Sequence, residues 1–248
     1  MKMSPEDFTS LLNMFRKKNC ALADLRAAAA RFPAAREVLA VEPALRLLFN
    51  KWEKTPYDVK ASELKKLNLY VKNKFYNILS LYYIFKTRPA AYIEGGRYLP
   101  RISGATANPK YKIDTGQKTI DFAVTNLSDA YELFLEIARA QMKRMLYIVA
   151  NRNGIKAKIR LHVIKRGHRC FGYCCSEYPV RIGFKWQMIF IPEPLQEVLI
   201  CHELAHLKHM NHGENFWACH EKLLGGPVFE ADKQMSAAMS NFVWLCNP

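Results

Sequence analysis

The stretch that decides the fold is His202-Glu203-Leu204-Ala205-His206, which is followed by His212. Residues four apart lie on one face of an α-helix, so the first two histidines point the same way, one turn apart. Glu203 lies about 100° around the helix from His202 and is too close in sequence to be an easy third ligand. The segment therefore predicts a metal-binding helix with a carboxylate beside the metal.

The third predicted ligand is His212, which lies beyond the expected end of this helix, where the chain can turn back. Zinc with three protein ligands keeps a fourth position for water and lowers the pKa of that water to about 7. A neighbouring carboxylate can accept the proton as the water attacks a carbonyl. The sequence thus predicts Zn²⁺ bound by His202, His206 and His212. It also predicts that Glu203 is the general base and later the proton donor to the leaving amine. His209 is a rival third ligand, because it would fall near the His202 face if the helix continued.

The sixteen residues HELAHLKHMNHGENFW, at positions 202–217, resemble the YgjP-like metallopeptidase family, whose relatives include the SprT-like proteins. That family has a zinc-binding HELxH, a third histidine at this spacing and an aromatic pair, here Phe216 and Trp217. Upstream, Phe171-Gly172-Tyr173-Cys174 is similar to the Trp-Gly-Ser-Cys turn of the family, with Phe171 and Tyr173 as departures. The resemblance spans residues 130–225 and implies a zinc-dependent peptidase of zincin-like fold. It also implies an edge strand beside the metal helix that binds an extended peptide or protein substrate.

Hydrophobic periodicity predicts an α+β fold in which a small antiparallel or mixed sheet packs on the buried metal-binding helix. The clearest strand is 155–163, where apolar and basic residues alternate, and two shorter strands are predicted at 180–184 and 187–191. Between helices and strands, residues 87–118 are rich in Pro, Gly and basic residues. They are predicted as a loop, with a basic flap, a linker or a pair of short strands as alternatives. The predicted helices are 4–19, two or three within 21–54, 62–86, 127–153 stopping at Gly154, one from about Pro194, 214–224 and 229–245.

Charge divides the chain unevenly. The formal net charge is +15, and residues 1–125 hold 22 Lys and Arg against 11 Asp and Glu, whereas residues 126–248 hold 15 against 11. We therefore expect a basic, mainly helical N-terminal region over 1–125 and a metallopeptidase domain over 126–248. A basic surface can attract nucleic acid, although a lysine-rich solvated face is the more ordinary interpretation.

Composition also bears on the compartment. The chain has 248 residues, half of them hydrophobic, which suffices for a sizeable core. The sequence has no run of 18 or more apolar residues, so no membrane span is expected. The first residues lack the apolar segment of a signal peptide. The seven cysteines are an odd number, which favours reduced thiols. These features predict a cytoplasmic protein.

Three other functions remain open from sequence. The first is a SprT-like protease acting on DNA-bound proteins. The second is a metal-dependent nuclease with the YbeY-like ligand spacing HxxxHxxxxxH, which lacks a glutamate after the first histidine. The third is a non-enzymatic module in which a fourth protein ligand closes the zinc site. Tyr173, His168 and His220 are candidates for stabilising a tetrahedral intermediate, although packing or surface roles are more usual for such residues.

Overall fold

The computed structural model describes Leu81, Ile84, Phe85 and residues 88–165 and 170–240. The helices predicted for 4–19 and 21–54 lie outside these residues, so the mainly helical nature of the N-terminal region stays a prediction. Of the helix predicted for 62–86, the three described positions are all helical. From residue 88 onward the described chain forms two mixed sheets and four α-helices, which confirms the α+β class.

Three of the four strands of the first sheet lie in the segment that was predicted as a loop, residues 87–118. Its strands are β1 (Ala91–Ile93), β2 (Gly96–Gly104), β3 (Lys110–Asp114) and β4 (Thr119–Ala123), in the order β1-β2-β4-β3. Strands β2 and β4 are parallel, and the other two pairs are antiparallel. Strands therefore replace the predicted loop over 87–118, and there are three of them rather than the pair of short strands that was one of the alternatives.

A tight turn explains why glycine looked like a break in this segment. Strands β1 and β2 pair with Ile93 opposite Gly96, which leaves only Glu94 and Gly95 in the connection. Both residues have positive φ, 51° and 76°. Two-residue hairpin loops with positive φ at both positions match the twist of the flanking strands, and they favour glycine. Glycine here marks a hairpin turn rather than an unstructured segment.

The longest helix, α1, spans Leu127–Arg152 and confirms the prediction for 127–153. The side chain of Asn126 caps its start by accepting a hydrogen bond of 2.9 Å from the backbone N–H of Asp129. The stop at Gly154 is also confirmed, since this residue has φ of +63°, a conformation that glycine adopts at low cost.

The second sheet contains β5 (Arg160–Ile164), β6 (Gly172–Cys175) and β7 (Arg181–Lys185), in the order β5-β7-β6. Strand β7 confirms the strand predicted at 180–184. The strand predicted for 155–163 forms only from Arg160, because β5 pairs in parallel with β7 and Arg160 lies opposite Arg181, the first residue of β7. Strand β6 lies at an edge and pairs antiparallel with β7. It was not predicted.

The strand predicted at 187–191 is wrong. Residues Trp186–Phe190 form a short 3₁₀ helix, and all five are buried. An apolar run that is buried on every side has no polar positions to reveal its period, so strand and helix cannot be distinguished by pattern.

The last three helices carry and support the predicted metal ligands. Helix α2 spans Glu193–Ala205, with a proline in its first turn, where the missing N–H costs nothing. Helix α3 spans Glu214–Leu224, as predicted, and ends at Gly225 with φ of +82°. Helix α4 begins at Phe229, as predicted, and is described to Ser240. The rest of the range predicted for it, to 245, lies outside the described residues. None of the described helices is both long and apolar enough to cross a membrane.

One hydrophobic core joins both sheets to the helices. The ring of Phe122 in β4 lies 4.4 Å from that of Phe134 in α1, and Phe134 lies 6.0 Å from Trp186. Side chains on both sides of residue 125 thus belong to the same core. The boundary between 125 and 126 stays a prediction.

A set of hydrogen bonds holds the N-terminal end of α2 in place. The Oε1 atom of Glu193 accepts hydrogen bonds of 2.8 Å from the backbone N–H of Gly95 and from Nε2 of Gln141. Gln141 in turn lies 3.0 Å from Gln196 of α2. The β1–β2 turn, α1 and α2 are therefore held together at the end of α2 away from the histidines.

Candidate metal centre

The structure brings the three predicted ligands together. His202 lies in the last turn of α2, His206 caps its C-terminus, and His212 lies in the connection to α3. One ring nitrogen from each lies within 4.8 Å of those of the other two. The Nε2 atoms of His202 and His212 are 3.0 Å apart.

Hydrogen bonding sets the tautomer of His206. Its Nδ1 lies 3.0 Å from the backbone oxygen of His209. A carbonyl oxygen only accepts, so Nδ1 carries the proton and the Nε2 lone pair is left for a metal ion. His209 thus contributes its backbone oxygen. Its ring is not part of any cluster of potential metal-binding side chains among the described residues. The geometry favours His212 over His209 as third ligand.

The donor set suits a zinc-type ion. Nitrogens bound to tetrahedral zinc at about 2.05 Å lie about 3.3 Å apart, close to the 3.0 Å between His202 and His212. Burial of His206, and local desolvation of the more exposed His212 ring by its neighbours, hold the pKa values of both below the ordinary value for histidine, which favours the neutral imidazole that metals bind. Among the described residues this group has three members, which leaves a further coordination position for water or substrate.

Phe216 packs against all three histidines of the cluster. This residue of α3 is fully buried, and its ring lies 4.9, 4.6 and 4.6 Å from the rings of His202, His206 and His212. The Trp217 ring meets the Phe216 ring edge to face, with 5.2 Å between their centroids. The aromatic pair therefore packs α3 onto the metal helix, which explains why it follows the third histidine so closely.

Glu203 is a buried carboxyl group next to this cluster. Only 4 % of the residue is exposed, and its Oε2 has no hydrogen-bond partner among the described residues. Burial raises the pKa of this carboxyl to about 7, against a smaller lowering by His202. A divalent cation on the histidines would move the pKa down again, because positive charge favours the carboxylate. A carboxyl poised near neutral pH is the usual property of a general base.

Gly172 in β6 makes room for this carboxyl. A Cβ atom at this position would lie 2.5 Å from Oε1 of Glu203, well inside van der Waals contact. A side chain at residue 172 would therefore displace the Glu203 carboxyl. This close approach also places the start of an edge strand directly over Glu203.

Of the candidates for stabilising a tetrahedral intermediate, Tyr173 lies away from Glu203, whereas His220 lies against His202, with the two rings 5.4 Å apart. Successive strand residues face opposite sides of a sheet, so Tyr173 points away from Glu203, and its hydroxyl lies 3.0 Å from Nδ1 of His162. His220 is fully buried, and its Nε2 lies 3.1 Å from the Val198 carbonyl oxygen. His168 lies outside the described residues.

Sequence reasoning missed Asp232. This residue of α4 forms a second group of potential metal-binding side chains with His202 and His220, with ligand atoms within 4.8 Å of one another. Asp232 is 30 positions from His202 and belongs to no motif, so no sequence signal could have found it.

Comparison with known proteins agrees with this geometry. The family model described as "YgjP-like, metallopeptidase domain" matches residues 102–236, which include part of the first sheet, the whole second sheet and all the residues of the cluster. Comparisons with curated proteins and with solved structures find no match.

Proposed function

Because this chain belongs to the YgjP-like metallopeptidase family, we propose that it hydrolyses peptide bonds with a zinc ion held by His202, His206 and His212. The observation that carries the proposal is the buried Glu203 carboxyl, next in sequence to a ligand and covered by an edge strand. The arrangement supports a zincin-like site.

Each side chain has a distinct role in this proposal. When bound, zinc supplies a Lewis acid that polarises the substrate carbonyl and makes water more acidic. Glu203 accepts a proton from the attacking water and returns it to the leaving amine. Burial of Glu203 favours its protonated form and so opposes the lowering of its pKa by the bound cation. His206 is held in the ligating tautomer by the His209 carbonyl.

Two alternatives have less support. A YbeY-like nuclease needs the ligand spacing alone and gives no role to a buried glutamate, whereas this chain places Glu203 at the cluster. A structural zinc module needs a fourth protein ligand, and among the described residues the group around His206 and His212 contains only His202 in addition.

The substrate-binding element is proposed to be β6. Among the described strands β6 is an edge of the three-stranded sheet, next to β7 alone, and Gly172 at its start lies against Glu203. An extended peptide can add to such an edge through backbone hydrogen bonds. A bound peptide inhibitor is expected to protect the backbone amides of Gly172–Cys175 from hydrogen exchange more than those of β5, the opposite edge. Equal protection of both edges would count against this mode.

Zinc dependence tests the activity itself. The purified protein is expected to cleave members of a mixed peptide library, to lose this activity after removal of metal by a chelator, and to regain it with one equivalent of Zn²⁺. Product masses measured by mass spectrometry identify the cleaved bonds. Cleavage that persists in the metal-free protein, or RNA cleavage without peptide cleavage, would contradict the proposal.

A further inference from the structure

Three buried polar atoms meet behind His202, on the side away from His212. They are Nδ1 of His202, Nδ1 of His220 and Oδ1 of Asp232, and none has a hydrogen-bond partner among the described residues. Nδ1 of His202 and Oδ1 of Asp232 are 3.3 Å apart, which is within ion-pair distance, although the two groups are not aligned as a hydrogen bond. Buried polar atoms without partners are costly, so this group requires an explanation.

Proton positions can be assigned from the neighbouring contacts. The Nε2 of His220 faces the Val198 carbonyl at 3.1 Å, so this nitrogen carries the proton and Nδ1 is an acceptor in the neutral ring. The Nε2 of His202 faces His212, on the side of the proposed ion. A neutral imidazole that ligates through Nε2 carries its proton on Nδ1. The Nδ1–H of His202 therefore lies near two acceptors, Oδ1 of Asp232 at 3.3 Å and Nδ1 of His220 within 4.8 Å.

Packing holds the carboxylate in this position. Asp232 lies in the first turn of α4, and Met235 and Met239, which follow on the same face, are 3 % and 0 % exposed. The backbone N–H of Asp232 donates a hydrogen bond of 2.7 Å to the oxygen of Val228, which fixes the start of the helix. The carboxylate is thus presented to the back of His202 by a buried helix face.

We propose that Asp232, supported by His220, is a positioning residue for His202. It accepts the Nδ1 proton, keeps the ring oriented with Nε2 towards the ion, and makes that nitrogen a stronger donor. The inference rests on the proposed function in one respect, the role of His202 as a metal ligand. It assigns α4, which carries no part of the HExxH motif, a direct part in metal affinity.

His202, His220 and Asp232 also have the side-chain types of a second metal site. The protonation of the His202 ring favours the positioning role over this second site. If His202 bound one ion through each nitrogen, its ring would have to lose both protons. A carboxylate that accepts the proton of a ligating imidazole needs no such step and is the usual arrangement around zinc. Stoichiometry distinguishes the two roles.

Replacement of Asp232 tests the proposal through metal affinity. We expect Asp232→Asn to weaken Zn²⁺ binding and Asp232→Ala to weaken it further, within a range of about 10–100-fold. Affinity is measured by competition with a chromophoric chelator on the full chain. The Co²⁺-loaded variants are also expected to show altered visible absorption bands, since these bands report the geometry of the ligand nitrogens.

Glu230→Ala is the matched control. Glu230 is an exposed carboxylate in the same turn of α4, with the same favourable position at a helix N-terminus, and it contacts Gln234 rather than a histidine. It should bind Zn²⁺ as the wild type does. Thermal unfolding of the metal-free proteins shows whether each variant folds, and the near-isosteric Asn variant keeps the test decisive if the Ala variant does not.

Several outcomes would overturn the inference. Unchanged affinity and unchanged Co²⁺ bands in a folded Asp232→Asn variant would remove the positioning role while leaving the proposed function intact. Two Zn²⁺ per wild-type chain, with one lost in Asp232→Asn, would assign the trio to a second ion instead. Absence of Zn²⁺ binding by the wild type would remove both this inference and the proposed function.

Discussion

Glu203→Gln is expected to lower kcat/KM for peptide hydrolysis by about 10²–10⁴-fold and to leave zinc affinity unchanged. Glutamine has nearly the same shape as glutamate but cannot accept and return a proton. Because Glu203 does not belong to the cluster of potential metal ligands, its replacement leaves the three imidazoles in place. Steady-state kinetics on a library-derived peptide, together with a zinc titration, measures both effects. Activity close to that of the wild type would contradict the role of Glu203 as general base.

The pH dependence of stability provides a folding control for this variant. Burial raises the pKa of Glu203 to about 7 in the metal-free protein, from 4.5. A raised carboxyl pKa favours the protonated form in the folded state, so the stabilisation is complete below pH 4.5 and is lost as the pH rises to 7. Relative to Glu203→Gln, the free energy of unfolding of the metal-free wild type should fall by up to about 3 kcal/mol between pH 4.5 and pH 7. Thermal unfolding in a pH series measures the difference.

Gly172→Ala separates the position of the carboxyl from its chemistry. The new Cβ would lie 2.5 Å from Oε1 of Glu203, so the carboxyl must move while its proton affinity is retained. A displacement of about 1 Å can reduce turnover by about 10²-fold. Gly104→Ala is the control, because a Cβ at that strand position meets no atom within 4 Å. Equal activity of the two alanine variants would show that β6 does not position Glu203.

The helix that carries His202 and His206 was predictable because its signals are local. The i, i+4 spacing of His202 and His206 requires a helix, and Gly154 and Gly225 mark helix ends where positive φ is needed. The ligating role assigned to His212 from its spacing is consistent with the structure, which brings its ring to the other two. Such features depend on backbone geometry within a few residues, which sequence encodes directly.

Other features depend on distant contacts and could not be predicted. Strand β6 has four residues, too few for a clear alternation, and forms by pairing with β7. The segment Trp186–Phe190 is buried on all sides and so carries no periodic pattern. Asp232 reaches His202 only because α4 packs across α2. Nucleic-acid binding by the basic region 1–125 stays a prediction, since most of that region lies outside the described residues.

The identity of the third ligand leads to the second large effect. His212→Ala is expected to weaken zinc binding by more than about 100-fold, beyond what outer contacts of a metal site contribute. His209→Ala should bind zinc nearly as the wild type does, because residue 209 supports His206 through its backbone oxygen, which alanine retains. The two variants form a matched pair, since each removes one imidazole from the same short connection.

Two measurements distinguish these variants. Chelator competition gives the zinc affinities directly, and thermal unfolding with and without zinc gives an independent value, since an ion at 100 times its Kd stabilises the folded state by about 2.7 kcal/mol. His212 is exposed, so its loss should change the stability of the metal-free protein little. Wild type and His209→Ala should therefore gain thermal stability on zinc addition, and His212→Ala should not. The reverse order would require the chain to continue as helix beyond His206 and would place His209 in the metal site.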